Sequence, residues 1–271
     1  MFQQVVVPID GSAASWKAVS VAARMAAAVD GKLEVVWVVD RVGAVGGAEA
    51  ELAAGLDRIG PLPVPIDAEV IASDSVATAL ADHFESRVGA IFVMSSHGHG
   101  RSVGVLGGVA NGLLRKTFGP IVVVGPHVAD DAGAIDGRLV VPLDGSPHAE
   151  TILPIVSAWV VEFSAVAWLV EVVEPLLLKG DDIIESAYPA RCARKLAVDT
   201  GHEIEFDVLH DRNPSQAITG YADHTGASLI MLSTHGRTGL SRLRMGSVAA
   251  DVVRHATCPV VLYRPPHLDR T

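Results

Sequence analysis

Residues 5–12 read VVVPIDGS and residues 139–146 read LVVPLDGS. In both places an apolar, β-branched run stops at Asp-Gly-Ser. Such a run predicts a strand buried on both faces. The Asp-Gly-Ser that follows predicts a tight turn opening a helix. Asp10 and Asp144 stand 134 residues apart, and further landmarks repeat at almost the same spacing. SSHGHGR from Ser95 matches STHGRTG from Ser233, an offset of 138. GPIVVVGP (119–126) matches CPVVLYRP (258–265), with Pro120 and Pro259 139 apart. Matching landmarks in one order at near-constant spacing mean a duplicated domain.

Working outward, each half alternates apolar runs with amphipathic stretches. The predicted strands are Val5–Ile9, Leu33–Val39, Val64–Ile71, Ala90–Met94 and Ile121–Val124, then Leu139–Leu143, Val166–Val173, Glu203–Leu209, Leu229–Leu232 and Val260–Tyr263. Helical spacing of apolar residues marks Ser15–Val29, Asp211–His224 and Val248–His255. Five strands alternating with helices predict an α/β fold with a parallel sheet and right-handed crossovers. The chain therefore divides into two tandem domains, 1–132 and 137–271, parted in the small-residue stretch ADDAGAIDG (129–137).

Composition narrows the function classes. The 271 residues carry 21 Lys and Arg against 31 Asp and Glu, a formal charge of −10. The excess is shared: residues 1–137 hold 9 basic and 15 acidic groups, the remainder 12 and 16. An acidic chain lacks the basic surface that nucleic acid demands. Two distant cysteines, Cys192 and Cys258, form neither a disulfide framework nor a Cys-based zinc site, and fit a reducing cytosol. The start, MFQQVVVPIDGS, lacks the features of a signal peptide. Ile152–Val173 approaches membrane-spanning length but contains Pro154, Glu162 and Glu171. It is expected to be a buried helix and strand, not a membrane span.

In an open parallel sheet, ligands bind beyond the carboxyl ends of the strands, at a topological switch point. Asp10 and Asp144 fall at that edge, where a carboxylate can bond a ribose hydroxyl or hold a phosphate-bound metal; the other role open to this Asp or its Ser is capping the helix. In the second half, Leu232-Ser233-Thr234-His235-Gly236 runs off a strand, nine residues follow, and Gly246-Ser247 opens the last helix. Glycine lets backbone approach a ligand, and helix-start amides with a hydroxyl make an anion site. Adenine is expected over the end of the second strand, near Val172. His97-Gly98-His99 offers two imidazoles without a third ligand at metal spacing, so no metal site is expected there. Neither half carries a G-x-S-x-G elbow or a Walker G-x-x-x-x-G-K-[ST] motif. No lysine lies between residues 233 and 248, though Arg237, Arg242 and Arg244 do. Trp16, Trp37, Trp159 and Trp168 are expected in the core, and Cys258 as a structural thiol.

The strand-1 aspartate, the His-Gly turn, the nine-residue spacer, Gly-Ser-Val (246–248) and the RHATCPVVL ending (254–262) resemble the universal stress protein family over nearly the whole chain. That resemblance implies a Rossmann-like (adenine nucleotide α-hydrolase-like) fold and a site for ATP, with or without Mg. On it, Pro142, Leu143 and Asp144 would meet adenine and ribose. Val172 would contact adenine, while Leu232, Ser233, His235 and Gly236 would line ribose and phosphates. Gly246, Ser247 and Val248 would hold the phosphates. The first-half counterparts are Pro8, Ile9, Asp10, Val38, Ser95, His97, Gly98, Gly107, Gly108 and Val109. Two departures stand out. Serines 95 and 233 replace the first glycine of the family pattern, and the first half has an eight-residue spacer with Gly108 in place of Ser247. The second site is thus expected to be the tighter. The resemblance further implies a cytoplasmic stress-response protein acting by binding rather than turnover, with an unnamed protein partner. It also implies edge-to-edge pairing of domains through the last strands, Ile121–Val124 with Val260–Tyr263 within the chain, and leaves a homodimer open. The rival readings are an interaction module that binds no nucleotide, or a slow ATP hydrolase or transferase of the same fold class.

Overall fold

The computed structural model describes residues 3–98, 106–117, 119–174, 187–234 and 245–264. They fall into two units, residues 1–133 and 134–271.

Unit 1 runs β1 (Gln4–Ile9), α1 (Ala13–Ala28), β2 (Lys32–Val39), a single 3-10 turn (Val42–Ala44), α2 (Val45–Ile59), β3 (Ile66–Ala72), α3 (Val76–Glu85), β4 (Ile91–Ser95), α4 (Gly108–Lys116) and β5 (Ile121–Val124). Its strands lie in the order β3-β2-β1-β4-β5, and each pair is parallel. The order reverses between β1 and β4, so the crevice at their carboxyl ends is the switch point. The predicted strands all form, with ends displaced by a residue or two, as expected where boundaries rest on pattern alone.

Burial explains the pattern. Val5, Val6 and Val7 of β1 and Val122 and Val123 of β5 are covered on both faces. Phe92 of β4 meets Phe84 of α3 edge-on, ring centroids 4.8 Å apart, a geometry favoured by the ring quadrupoles. β3 departs from the expectation of continuous burial. It lies at the sheet edge, and its Asp67 and Glu69 are exposed; charge on an edge strand blocks further strand addition.

Unit 2 repeats the plan: β6 (Arg138–Leu143), α5 (Pro147–Glu150), α6 (Leu153–Phe163), β7 (Val166–Val173), α7 (Ala187–Thr200), β8 (Glu205–His210), α8 (Pro214–Thr225), β9 (Leu229–Ser233), α9 (Ser247–His255) and β10 (Val260–Tyr263). Its order is β8-β7-β6-β9-β10, again parallel. Where unit 1 has the single helix α1, unit 2 has two pieces. Pro154 lacks the N–H that would bond the carbonyl of residue 150, so the helix stops and restarts there. The Ile152–Val173 stretch is α6 followed by β7, and no described helix is long and apolar enough to cross a membrane.

The tryptophans divide. Trp16 and Trp159 are buried as expected, but Trp37 and Trp168 are only half-buried. Trp37 lies over Gly11. Trp168 lies under the Arg138 guanidinium, 4.8 Å from its ring centroid, and beside Tyr221. Each ring thus covers backbone or a cation instead of filling the core. Cys192 and Cys258 are buried thiols. Burial, with the Asp223 charge nearby, pushes the Cys258 thiol up to about 12, in keeping with a structural role.

Candidate functional site

The turn after each first strand is built alike. Gly11 and Gly145 take φ of +82° and +81°, a conformation that disfavours any side chain. The reversal lets Ser12 Oγ accept the Ser15 N–H at 3.1 Å and Ser146 Oγ accept the Ala149 N–H at 3.2 Å. The serines are therefore the helix caps. The aspartates close the turn: Asp10 Oδ1 accepts the Ser12 N–H at 3.1 Å. Asp144 Oδ1 accepts both the N–H and the hydroxyl of Ser146, at 3.0 and 2.6 Å. The capping role thus falls to the serines, and both aspartates sit on cavity walls.

In unit 1 a cavity of about 280 Å³ opens at the switch point, lined by Pro8, Ile9, Asp10, Val38, Ser95, His97, Gly98, Gly107, Gly108 and Val109. All ten first-half candidates therefore meet in one place. Ser15, Val76, Leu80, Met94, Ser96 and Ala110 complete the lining. Gly98 packs directly on the aspartate: a β-carbon there would sit 1.9 Å from Asp10 Oδ2 and displace the carboxylate. Ser96 Oγ lies 3.0 Å from His97 Nδ1.

In unit 2 the matching cavity, about 310 Å³, is lined by Pro142, Leu143, Asp144, Val172, Leu232, Ser233, Gly246, Ser247 and Val248, with Ala149, Pro214, Ile218, Thr234 and Ala249. His235 and Gly236, like Arg237, Arg242, Arg244 and His99, lie outside the described residues. Ser95 and Ser233 are absent from the described residues with positive φ, so serine occupies the family's glycine position without strain. Each final helix is tied back to the fourth strand of its unit by the same bond. The Gly107 N–H donates to the Ser96 carbonyl, and the Gly246 N–H to the Thr234 carbonyl, both at 2.8 Å. This places Gly107 opposite Gly246, and the one-residue difference in spacer is absorbed between two equivalent anchors. Neither α4 nor α9 has a side-chain cap, leaving first-turn amides to be satisfied from outside the helix.

A family model described as the universal stress protein family matches residues 1–125 and 137–264. The chain belongs to the universal stress protein family. A universal stress protein of Mycobacterium tuberculosis is 30% identical over 234 residues, covering 79% of this chain and 73% of that one. One from Methanocaldococcus jannaschii is 37% identical over 73 residues, 27% of this chain and 42% of the relative, less than two thirds of its length. Among solved structures, a universal stress protein from Archaeoglobus fulgidus has a TM-score of 0.68 at 17% identity, covering 97% and 98% of the two chains; at that identity the likeness speaks for the fold.

Within this universal stress protein, sequence reasoning missed the apolar wall opposite Val38 and Val172. Val76 and Leu80 on α3 and Pro214 and Ile218 on α8 supply it. The signal was present: both pairs are separated by the same 138 residues that separate Ser95 from Ser233. A second missed group lies toward the other end of β2. The buried Glu34 carboxylate accepts bonds from Arg87 Nε at 2.6 Å, Arg87 Nη2 at 2.5 Å and Gln4 Nε2 at 2.6 Å. His83 Nε2 lies 3.1 Å from it, and burial holds the imidazole below its ordinary pKa. A lone charge inside the apolar run LEVVWVV (33–39) was the legible clue.

Proposed function

We propose that this universal stress protein binds ATP in the cavity of unit 2 and acts through occupancy of that site, not through turnover. One observation carries the reading. Asp144, Ser233–Thr234 and Gly246–Ser247, from three separate stretches of chain, meet on a single cavity with apolar walls. Ligand cavities of about 300–1,000 Å³ are the rule, and about 310 Å³ suits a base and ribose with phosphates trailing outward. Val172, Leu143 and Ile218 offer apolar surface to adenine, and Asp144 offers an acceptor to the ribose. The first-turn amides of α9 and the exposed Ser247 hydroxyl offer donors to phosphate. Mg, where it accompanies ATP, would travel with the phosphates.

Asp144 is the one ionisable side chain among the described residues lining this cavity. Hydrolysis needs a positioned water and charge stabilisation, and phosphate release at saturating ATP separates it from retention. Occupancy then shifts a population between states that bind ATP unequally, in a cytosolic setting suited to two buried thiols. For unit 1 one observation favours a second reading: Gly108 stands where unit 2 has Ser247, so its cavity holds phosphate weakly or serves protein contacts alone.

The test is to release ligand from the purified full chain by heat, identify it by chromatography, and titrate the stripped protein with ATP in a calorimeter. An adenine nucleotide near one per chain supports the reading. Absence of both co-purified nucleotide and binding heat overturns it. Rapid phosphate release at saturating ATP overturns action by occupancy.

A further inference from the structure

The Glu34 group serves no purpose in the cavities, yet it gathers ligand-type side chains. The side chains of Glu34 and His83 are only 6% and 5% exposed. His83 Nε2 makes no hydrogen bond among the described residues, because its 3.1 Å approach to Glu34 Oε1 is misaligned for one. Glu69, in register with Val36 on the neighbouring strand, adds a second carboxylate. One ligand atom from each of Glu34, Glu69 and His83 lies within 4.8 Å of the others. Helix α3 ties this group to the cavity of unit 1: Val76 and Leu80 line the cavity, and His83 follows on the same helical face.

We propose that Glu34, Glu69 and His83 bind one divalent transition-metal ion of the zinc class, taken up as the Arg87 guanidinium swings into solvent. Imidazole nitrogen with two carboxylate oxygens is a donor set zinc accepts. At bond lengths of about 2.0–2.2 Å, two ligands of a tetrahedral ion stand roughly 3.3 Å apart, close to the His83–Glu34 separation. Charge balance points the same way: two carboxylates face one guanidinium, while a divalent ion matches both. Arg87, 26% exposed, follows α3 in a bend leading to Gly89 at φ +82°, and can leave without disturbing the sheet. Glu69, 50% exposed, lies on the route of entry and leaves a fourth position to water. In unit 2 the corresponding residues are Trp168, paired with Val140 as Glu34 is with Val6, with Asp207 and Tyr221. They lack the imidazole and the buried carboxylate, so the site belongs to unit 1 alone.

The test titrates the full chain with Zn²⁺ against a chromophoric chelator, and with Co²⁺ followed by its visible bands. The expected result is one ion per chain, with four-coordinate Co²⁺ bands. Glu69→Gln, at a half-exposed position that leaves folding intact, should weaken binding at least tenfold. His83→Asn should abolish it, and Arg87→Gln, which removes the competing charge, should strengthen it at least tenfold. No zinc uptake by the unaltered chain, or uptake unchanged by Glu69→Gln or His83→Asn, overturns the proposal. Failure of Arg87→Gln to tighten binding overturns displacement of the guanidinium.

Discussion

Removing Arg87 should destabilise unit 1 more than removing Glu34, although the two form one ion pair. Arg87 supplies two of the three short hydrogen bonds to the carboxylate and its balancing charge. The Glu34 carboxylate is only 6% exposed in the parent chain, and in Arg87→Leu it would be held by Gln4 alone among the neutral donors. Breaking a buried pair by deleting one partner costs about 3–5 kcal/mol. Some water can follow the vacated Arg87 path, so the lower end, about 3 kcal/mol, is the expected loss. Glu34→Leu leaves a guanidinium that can turn to solvent, so its cost should stay below about 2 kcal/mol, in the range of an ordinary substitution. The double replacement should recover most of the Arg87→Leu loss, since an apolar pair of similar volume commonly replaces a buried ion pair at little cost. Unit 2 already holds such an alternative, with Trp168 at the equivalent register. At roughly 3–5 °C per kcal/mol for a unit of this size, Arg87→Leu should lower the melting temperature of unit 1 by about 10–15 °C. Thermal and urea unfolding of the chelator-treated full chain, in a double-mutant cycle, measures all three variants. A loss under about 1 kcal/mol for Arg87→Leu, or a larger loss for Glu34→Leu, would refute the argument.

Three further outcomes follow from the geometry. Asp144→Ala should weaken ATP binding at least tenfold while leaving the unfolding midpoint within about 1 kcal/mol of the parent; unchanged affinity by calorimetry would remove Asp144 from the site. Gly246→Val should reduce ATP binding more than Gly107→Val. A β-carbon at 246 would meet the Thr234 carbonyl oxygen at 3.3 Å, against 3.6 Å between 107 and the Ser96 oxygen, and equal losses would mean the two cavities do not differ as described. Finally, the folded Cys258 thiol, pushed up to about 12 from an ordinary value of 9.0, should resist alkylation at pH 9, where an unfolded thiol is half ionised. Its folded value is raised, so its contribution to stability is full below pH 9 and declines as pH rises toward 12. Labelling of the native chain as fast as of the urea-unfolded chain would contradict this.

Much of the fold was legible because it rests on local rules applied twice. The strands were readable from β-branched runs, since central strands of a parallel sheet are covered on both faces. Edge strand β3 was less legible: Asp67 and Glu69 interrupt its apolar pattern, because an edge faces water. The break between α5 and α6 is signalled by Pro154, but the surrounding apolar run masks it. Residues lining the cavities were readable where turn chemistry or glycine marked them, as at Asp144 and Gly246. Val76, Leu80, Pro214 and Ile218 were not, because an apolar residue on a helix face looks the same whether it meets the core or a ligand.

The sequence by itself determined the duplicated α/β plan, the place of the switch-point turns and the inequality of Ser247 and Gly108, because spacing and residue type are properties of the chain alone. Tertiary structure decided which member of each Asp-Gly-Ser turn caps the helix, how spacers of unequal length end on equivalent anchors, and which apolar side chains face a cavity. It also decided that Gln4, Glu34, Glu69, His83 and Arg87, spread over more than eighty residues, share one buried cluster. The reason is physical: a side chain's neighbours are set by strand order and helix packing, and those bring together residues that no local pattern connects.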